Sequence, residues 1–182
     1  MLDTDVLLSF LLTDSVALLG KLHPGSIVLD VVDREVKQRG QSALLERVMR
    51  NGWLRFAQFP DTGQSEAIRE YTRLIKPSRK PSPLGRGEAA VMAYVRFHGG
   101  TVASNNLRDV KNYCIEHNLP LMTVRAIVAR AVLDSKSLSI GEAEDFWSSM
   151  LAKGRRLPNA TAQEAIDYYR TLSGAETVRQ RT

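Results

Sequence analysis

The feature that most constrains this chain is an alternation of short apolar runs with segments of helical periodicity. Met1-Leu2 meets Asp3, and a helical pattern then runs to about Leu22, where His-Pro-Gly breaks it. Residues 26 to 29 read as a buried strand feeding a helix from Asp30 to about Arg39, and Gln41 to Asn51 reads as a second amphipathic helix. Trp53 to Phe59 alternates like a strand, and Gln64 to Ile75 is helical. A basic, Pro- and Ser-rich loop covers residues 76 to 86. Beyond it come a helix from Gly87 to Phe97, a strand at Thr101 to Ser104, a helix from Leu107 to Glu116 and a short strand at Leu119 to Met122. Such alternation predicts an α/β fold with a parallel sheet covered on both faces.

The chain has 182 residues, 43% of them hydrophobic, enough for one core. Residues 1–138 carry the α/β pattern, and residues 139–182 read as a helical C-terminal extension with a frayed tail. Within the extension, Ala143, Phe146, Trp147, Met150 and Leu151 recur at helical spacing. An excess of 25 Lys and Arg over 20 Asp and Glu suits a polyanionic partner. Cys114 is the only cysteine, which excludes a disulfide framework and points to a reducing, cytoplasmic setting. The apolar run from Val6 to Leu12 is bracketed by Asp3, Asp5 and Asp14, so neither a signal peptide nor a membrane span is expected.

In an open parallel sheet, ligands gather beyond the carboxyl ends of the strands. Those ends carry acids here: Asp3 after the first apolar run, Glu35 in the helix after the second, Glu88 opening the helix after the basic loop, and Asn106 with Asp109 after the fourth. Oxygen donors without His or Cys select hard cations such as Mg²⁺ or Mn²⁺. Each residue also has a plainer role. Asp3 and the Asn106/Asp109 pair are good helix caps, Glu35 sits among charged neighbours, and Glu88 favours a helix dipole. His23, His98 and His117 have no ligand spacing. No Gly-rich phosphate loop follows any strand, which disfavours a nucleotide-binding or response-regulator domain.

Four of these stretches resemble the motifs of PIN domains, in the same order. Leu2-Asp3-Thr4-Asp5 is similar to the opening Leu-Asp-Thr-Asn motif, the stretch from Val28 to Glu35 resembles the second motif, and Gly87-Glu88-Ala89 looks like the Gly-Glu-Ala helix start. Ser104-Asn105-Asn106 through Asp109 is similar to the fourth motif of VapC-type toxins, and the resemblance covers roughly residues 1 to 135. It implies a three-layer α/β/α sandwich on a parallel sheet of four or five strands, and a Mg²⁺- or Mn²⁺-dependent endoribonuclease, often a toxin held by a protein antitoxin. A homodimer is common in such proteins. Asp3, Glu35, Glu88 and Asp109 would then ligate metal, with Asn106 completing the catalytic set. Thr4, Asp5 and Ser104 would orient the carboxylates, and Lys76, Arg79, Lys80 and Arg86 would hold RNA. The first strand is short, and the fourth site presents Asn106 where an Asp would add charge. A catalytically silent module that binds RNA or protein is the alternative.

Overall fold

The computed structural model describes residues 1–59, 65–79 and 82–179. It corrects the expected architecture. The chain is 61% helix, and its strands form two separate two-stranded parallel sheets rather than one sheet of four or five. Ten α-helices are present among the described residues.

Helix α1 (Thr4–Leu11) starts directly after Asp3, whose carboxylate accepts the Val6 amide at 2.7 Å. That cap explains why no long first strand forms: the chain leaves the extended conformation after three residues. The expected single helix to Leu22 breaks where Asp14 adopts φ 53°, and α2 is Val16–Leu22. Strand β1 (Ile27–Leu29) leads into α3 (Asp30–Gln38), α4 (Ser42–Arg50) and β2 (Arg55–Ala57). Helix α5 (Ser65–Ile75) precedes α6 (Arg86–His98), β3 (Val102–Ala103), α7 (Leu107–Glu116), β4 (Leu121–Met122) and α8 (Val124–Leu133). The extension supplies α9 (Ile140–Ala152) and α10 (Ala162–Arg179).

Strand β1 pairs with β2, placing Val28 opposite Phe56, and β3 pairs with β4, placing Val102 opposite Leu121. Between them runs Met1–Asp3. Leu2 donates its amide to Ile27 O at 3.1 Å, the Ala103 amide donates to Met1 O at 2.9 Å, and the Asp3 amide donates to Ala103 O at 3.0 Å. Three residues thus satisfy backbone groups of both ribbons without building a ladder. Their direction matters for the site, because Asp3 emerges at the same end as Ala103 and Leu29.

Helix α6 is buried on nearly every side, and Ala89, Ala90 and Ala93 let its neighbours approach closely. Phe10, Phe59, Leu29, Met92 and Trp147 occupy the same continuous core, so α9 packs onto the α/β portion. Among the described residues, no helix is long and apolar enough to cross a membrane.

Candidate metal centre

Four elements deliver polar side chains to one cavity of about 220 Å³, lined by Asp3, Thr4, Asp5, Glu35, Arg39, Gly85, Glu88 and Asn106. Each arrives for a local reason. Asp3 is fixed by its capping bond, so its second carboxylate oxygen is left for the cavity. Glu35 lies on α3, whose Val31, Val32 and Val36 anchor the helix in the core. Glu88 stands in the first turn of α6, where an anion complements the helix dipole. Asn106 occupies the N-cap position of α7 yet makes no side-chain cap. Its Nδ2 donates instead to Glu88 Oε2 at 3.2 Å and to Asp109 Oδ2 at 2.9 Å.

The carboxylates are individually held. Thr4 Oγ1 donates to Glu35 Oε2, and the Gly87 amide donates to Glu35 Oε1 at 2.8 Å. Gly87 is obligatory for that arrangement, since a Cβ there would stand 2.6 Å from Glu35 Oε2 and 2.8 Å from Thr4 Oγ1. Buried Ser104 accepts the Asn106 amide at 3.1 Å and points its hydroxyl at Glu88 Oε1, 3.5 Å away. Thr4 and Ser104 therefore contact the carboxylates they were expected to orient.

Asp5 does not. It lines the cavity, but its half-exposed carboxylate pairs with Arg155 at 2.9 Å and Arg39 at 3.7 Å. Asp109 lines a neighbouring cavity and touches this one only through Asn106. Arg86 is exposed and lines neither cavity, whereas Lys76 and Arg79 line the neighbouring one. Lys80 lies outside the described residues. Sequence reading missed Arg39 on the cavity wall and the reach of Arg155, which is 14% exposed and bridges the extension to α1. Nothing in the spacing of either arginine signals a partner so distant in sequence.

Burial pushes the Asp3 carboxyl up to about 6, against hydrogen bonds that pull it down. Burial, then the negative charge of Asp3, lifts Glu88 to about 7. Among the described residues, Asp3, Glu35 and Glu88 make no ion pair with any Lys or Arg. Crowded, desolvated carboxylates without an ion-pair partner are the environment a cation relieves. Among those residues, no three His, Cys, Asp or Glu side chains are gathered tightly enough to chelate a bare ion. A hydrated ion asks for fewer protein ligands than a bare one. Mg²⁺ commonly keeps several waters and takes one or two carboxylates, and Asp3 and Glu88 can supply those while Glu35 stays engaged by Thr4 and Gly87.

These shifts give a pH dependence with a definite sign. Both folded values are raised above the unfolded carboxylate values near 4, so the stability they contribute is complete below about pH 4 and is lost as pH rises through about 6 to 7. In chelator, Asp3→Asn should therefore gain a few degrees of melting temperature over wild type between about pH 5 and pH 8. Saturating Mn²⁺ should reverse that gain at the higher pH by stabilising wild type alone. A difference independent of pH in thermal denaturation would remove Asp3 as a strained anion.

Comparison with protein-family models, curated proteins and solved structures gave no significant match to this chain.

Proposed function

We propose that the chain is a divalent-metal-dependent ribonuclease, hydrolysing an RNA phosphodiester over the cavity bounded by Asp3, Glu35, Glu88 and Asn106. The observation that carries this reading is the convergence of residues 3, 35, 88 and 106, drawn from four helix starts or helices, on one small polar cavity with two carboxyls raised by burial. The PIN-like motifs supply the same residues in the same order.

Asp3 and Glu88 would hold Mg²⁺ or Mn²⁺, which supplies charge neutralisation at the phosphate and acidifies water. The protein's own contribution is placement. Thr4 and the Gly87 amide fix Glu35, leaving it as a rim acceptor for water or a ribose hydroxyl. Asn106 spans Glu88 and Asp109, setting the rotamer of Glu88 and sharing charge between the two carboxylates without adding any. With no His or Cys among the cavity's lining residues, no side-chain nucleophile enters the scheme. From the resemblance come the remaining parts of the proposal: a cytoplasmic toxin, a protein antitoxin that covers the cavity, and a homodimer.

The test is cleavage of structured and unstructured RNA by the purified chain, with Mg²⁺ or Mn²⁺ and with EDTA. Cleavage that requires the cation and stops in EDTA supports the assignment. Cleavage that survives EDTA refutes metal dependence. Inactivity with measurable Mn²⁺ and RNA binding assigns the chain to the silent binding modules, a reading favoured by Asn106 in place of an acid and by Asp109 lining the neighbouring cavity rather than this one.

A further inference from the structure

Beside the acidic cavity lies a larger one of about 480 Å³ with the opposite charge. Arg73 on α5, Lys76 and Arg79 just past its end, and Arg108 on α7 face it, against the carboxylates of Asp109 and Glu116. We propose that this cavity seats a backbone phosphate of the bound RNA, flanking the one at the acidic cavity. The inference rests on the ribonuclease reading for the identity of the ligand.

Two of the cations are built in. Arg73 is gripped by both oxygens of buried Glu70, at 2.8 and 2.7 Å, and Arg96 holds Glu70 from another side at 2.9 Å. These pairs drive the Glu70 carboxyl down to about 2, so the anchor stays ionised under all ordinary conditions. Arg79 is tethered by the Ser82 carbonyl. A guanidinium fixed by its own protein partner has little side-chain entropy left to lose when an anion arrives. The other two cations are mobile. Lys76 is exposed, and Arg108, 78% exposed, meets only Asp109 at a long 3.5 Å among the described residues.

The two cavities share a wall. Asp109 lines the basic one and accepts from Asn106, which lines the acidic one. A strand laid across that wall meets alternating requirements: a phosphate where cation-loaded carboxylates wait, and a second where arginines wait. Tyr113 is buried beneath the basic cavity, so its ring offers no face for base stacking. Recognition is therefore of the phosphate and not of the base, which predicts little sequence preference from this cavity.

The test uses the full chain and a short fluorescent single-stranded RNA in EDTA, where the RNA stays intact. Lys76→Gln with Arg108→Gln should weaken binding about tenfold at low salt. It should also flatten the slope of log affinity against log salt by about 0.7, the single-strand value for one phosphate that is no longer neutralised. Mn²⁺ affinity and melting temperature should not change, because neither residue touches the acidic cavity. Unchanged RNA affinity and slope would overturn the proposal. So would a poly-glutamate peptide that binds wild type as tightly as the RNA does and is weakened equally in the variant, which would assign the cavity to an acidic protein segment. If the RNA arm behaves as expected while wild type cleaves nothing in Mn²⁺, the ribonuclease reading fails and the phosphate site stands.

Discussion

Replacing Glu88 by Gln should abolish cation-dependent RNA cleavage, lowering the rate at least about a hundredfold, while leaving the protein folded. The substitution keeps the side chain's size and removes a charge that the fold does not need: Glu88 makes no ion pair among the described residues, and its burial penalises the ionised form. Losses of about 10²- to 10³-fold are usual when one electrostatic group is removed from a transition-state site. Gly87→Ala provides an independent arm. It changes no acid, yet its Cβ would displace Glu35 and Thr4, so activity should fall about tenfold, the scale for disturbing a supporting group, while Mn²⁺ affinity, which rests on Asp3 and Glu88, changes little. Mn²⁺ titration and initial cleavage rates measure both. Glu88→Gln protein that cleaves at the wild-type rate would remove this cavity from the chemistry. Gly87→Ala protein that cleaves at the wild-type rate would remove Glu35 from the site.

The site was legible in sequence to the extent that polar residues stand at the starts of helices. Asp3 follows the residue bridged to β3 and Asn106 follows β3 itself, so chain direction brings both helix starts to one end, whereas Glu88 follows the basic loop and arrives there through the packing of α6. The same logic let Asp3 be read both as a cap and as a site residue, and it is both. It failed for Asp109. Facing is set by helical phase, and Asp109, though in the first turn of α7, opens to the basic cavity. Asp5 lines the cavity, but its carboxylate is held by Arg155, 150 residues away, which no local spacing announces.

The sheet was misread for a different reason. Trp53 to Phe59 alternates over seven positions, but alternation reports side-chain facing, whereas a ladder requires a partner backbone. Only Arg55–Ala57 has one, in β1. The buried Leu54 and Phe59 on either side serve the core without pairing. Likewise Leu119 to Met122 yields two paired residues because its partner β3 is closed by the turn at Ser104, whose hydroxyl oxygen accepts the Asn106 amide. Helix bounds were easier, since caps and breaks act within a turn: α7 was read at Leu107–Glu116 from its own residues and forms there.

Trp147→Ala should destabilise the protein by about 3–5 kcal/mol, the range for emptying a fully buried aromatic site, and lower its melting temperature by roughly 10 °C. Trp147 has no exposed surface and its indole N–H donates to Asn159 O at 3.1 Å, so the substitution leaves both a cavity and an orphaned carbonyl. Its neighbour Phe146 meets Phe10 of α1 with ring centroids 5.3 Å apart, and the Ser139 capping box fixes where α9 begins. The extension is thus bonded to the first helix by an aromatic contact and by Arg155 on Asp5, immediately beside Asp3. Truncation after Ser139 should consequently cost more than Trp147→Ala and make the remainder aggregate, since it would bare the apolar faces of α1 and α8. Leu151→Ala is the control. At 40% exposure Leu151 covers little, and its removal should stay within about 0.5 kcal/mol. Chemical denaturation of the four proteins decides the matter: a truncated chain that stays soluble with the wild-type midpoint would show that the core closes without α9, and that Trp147 fills a space the fold does not need filled.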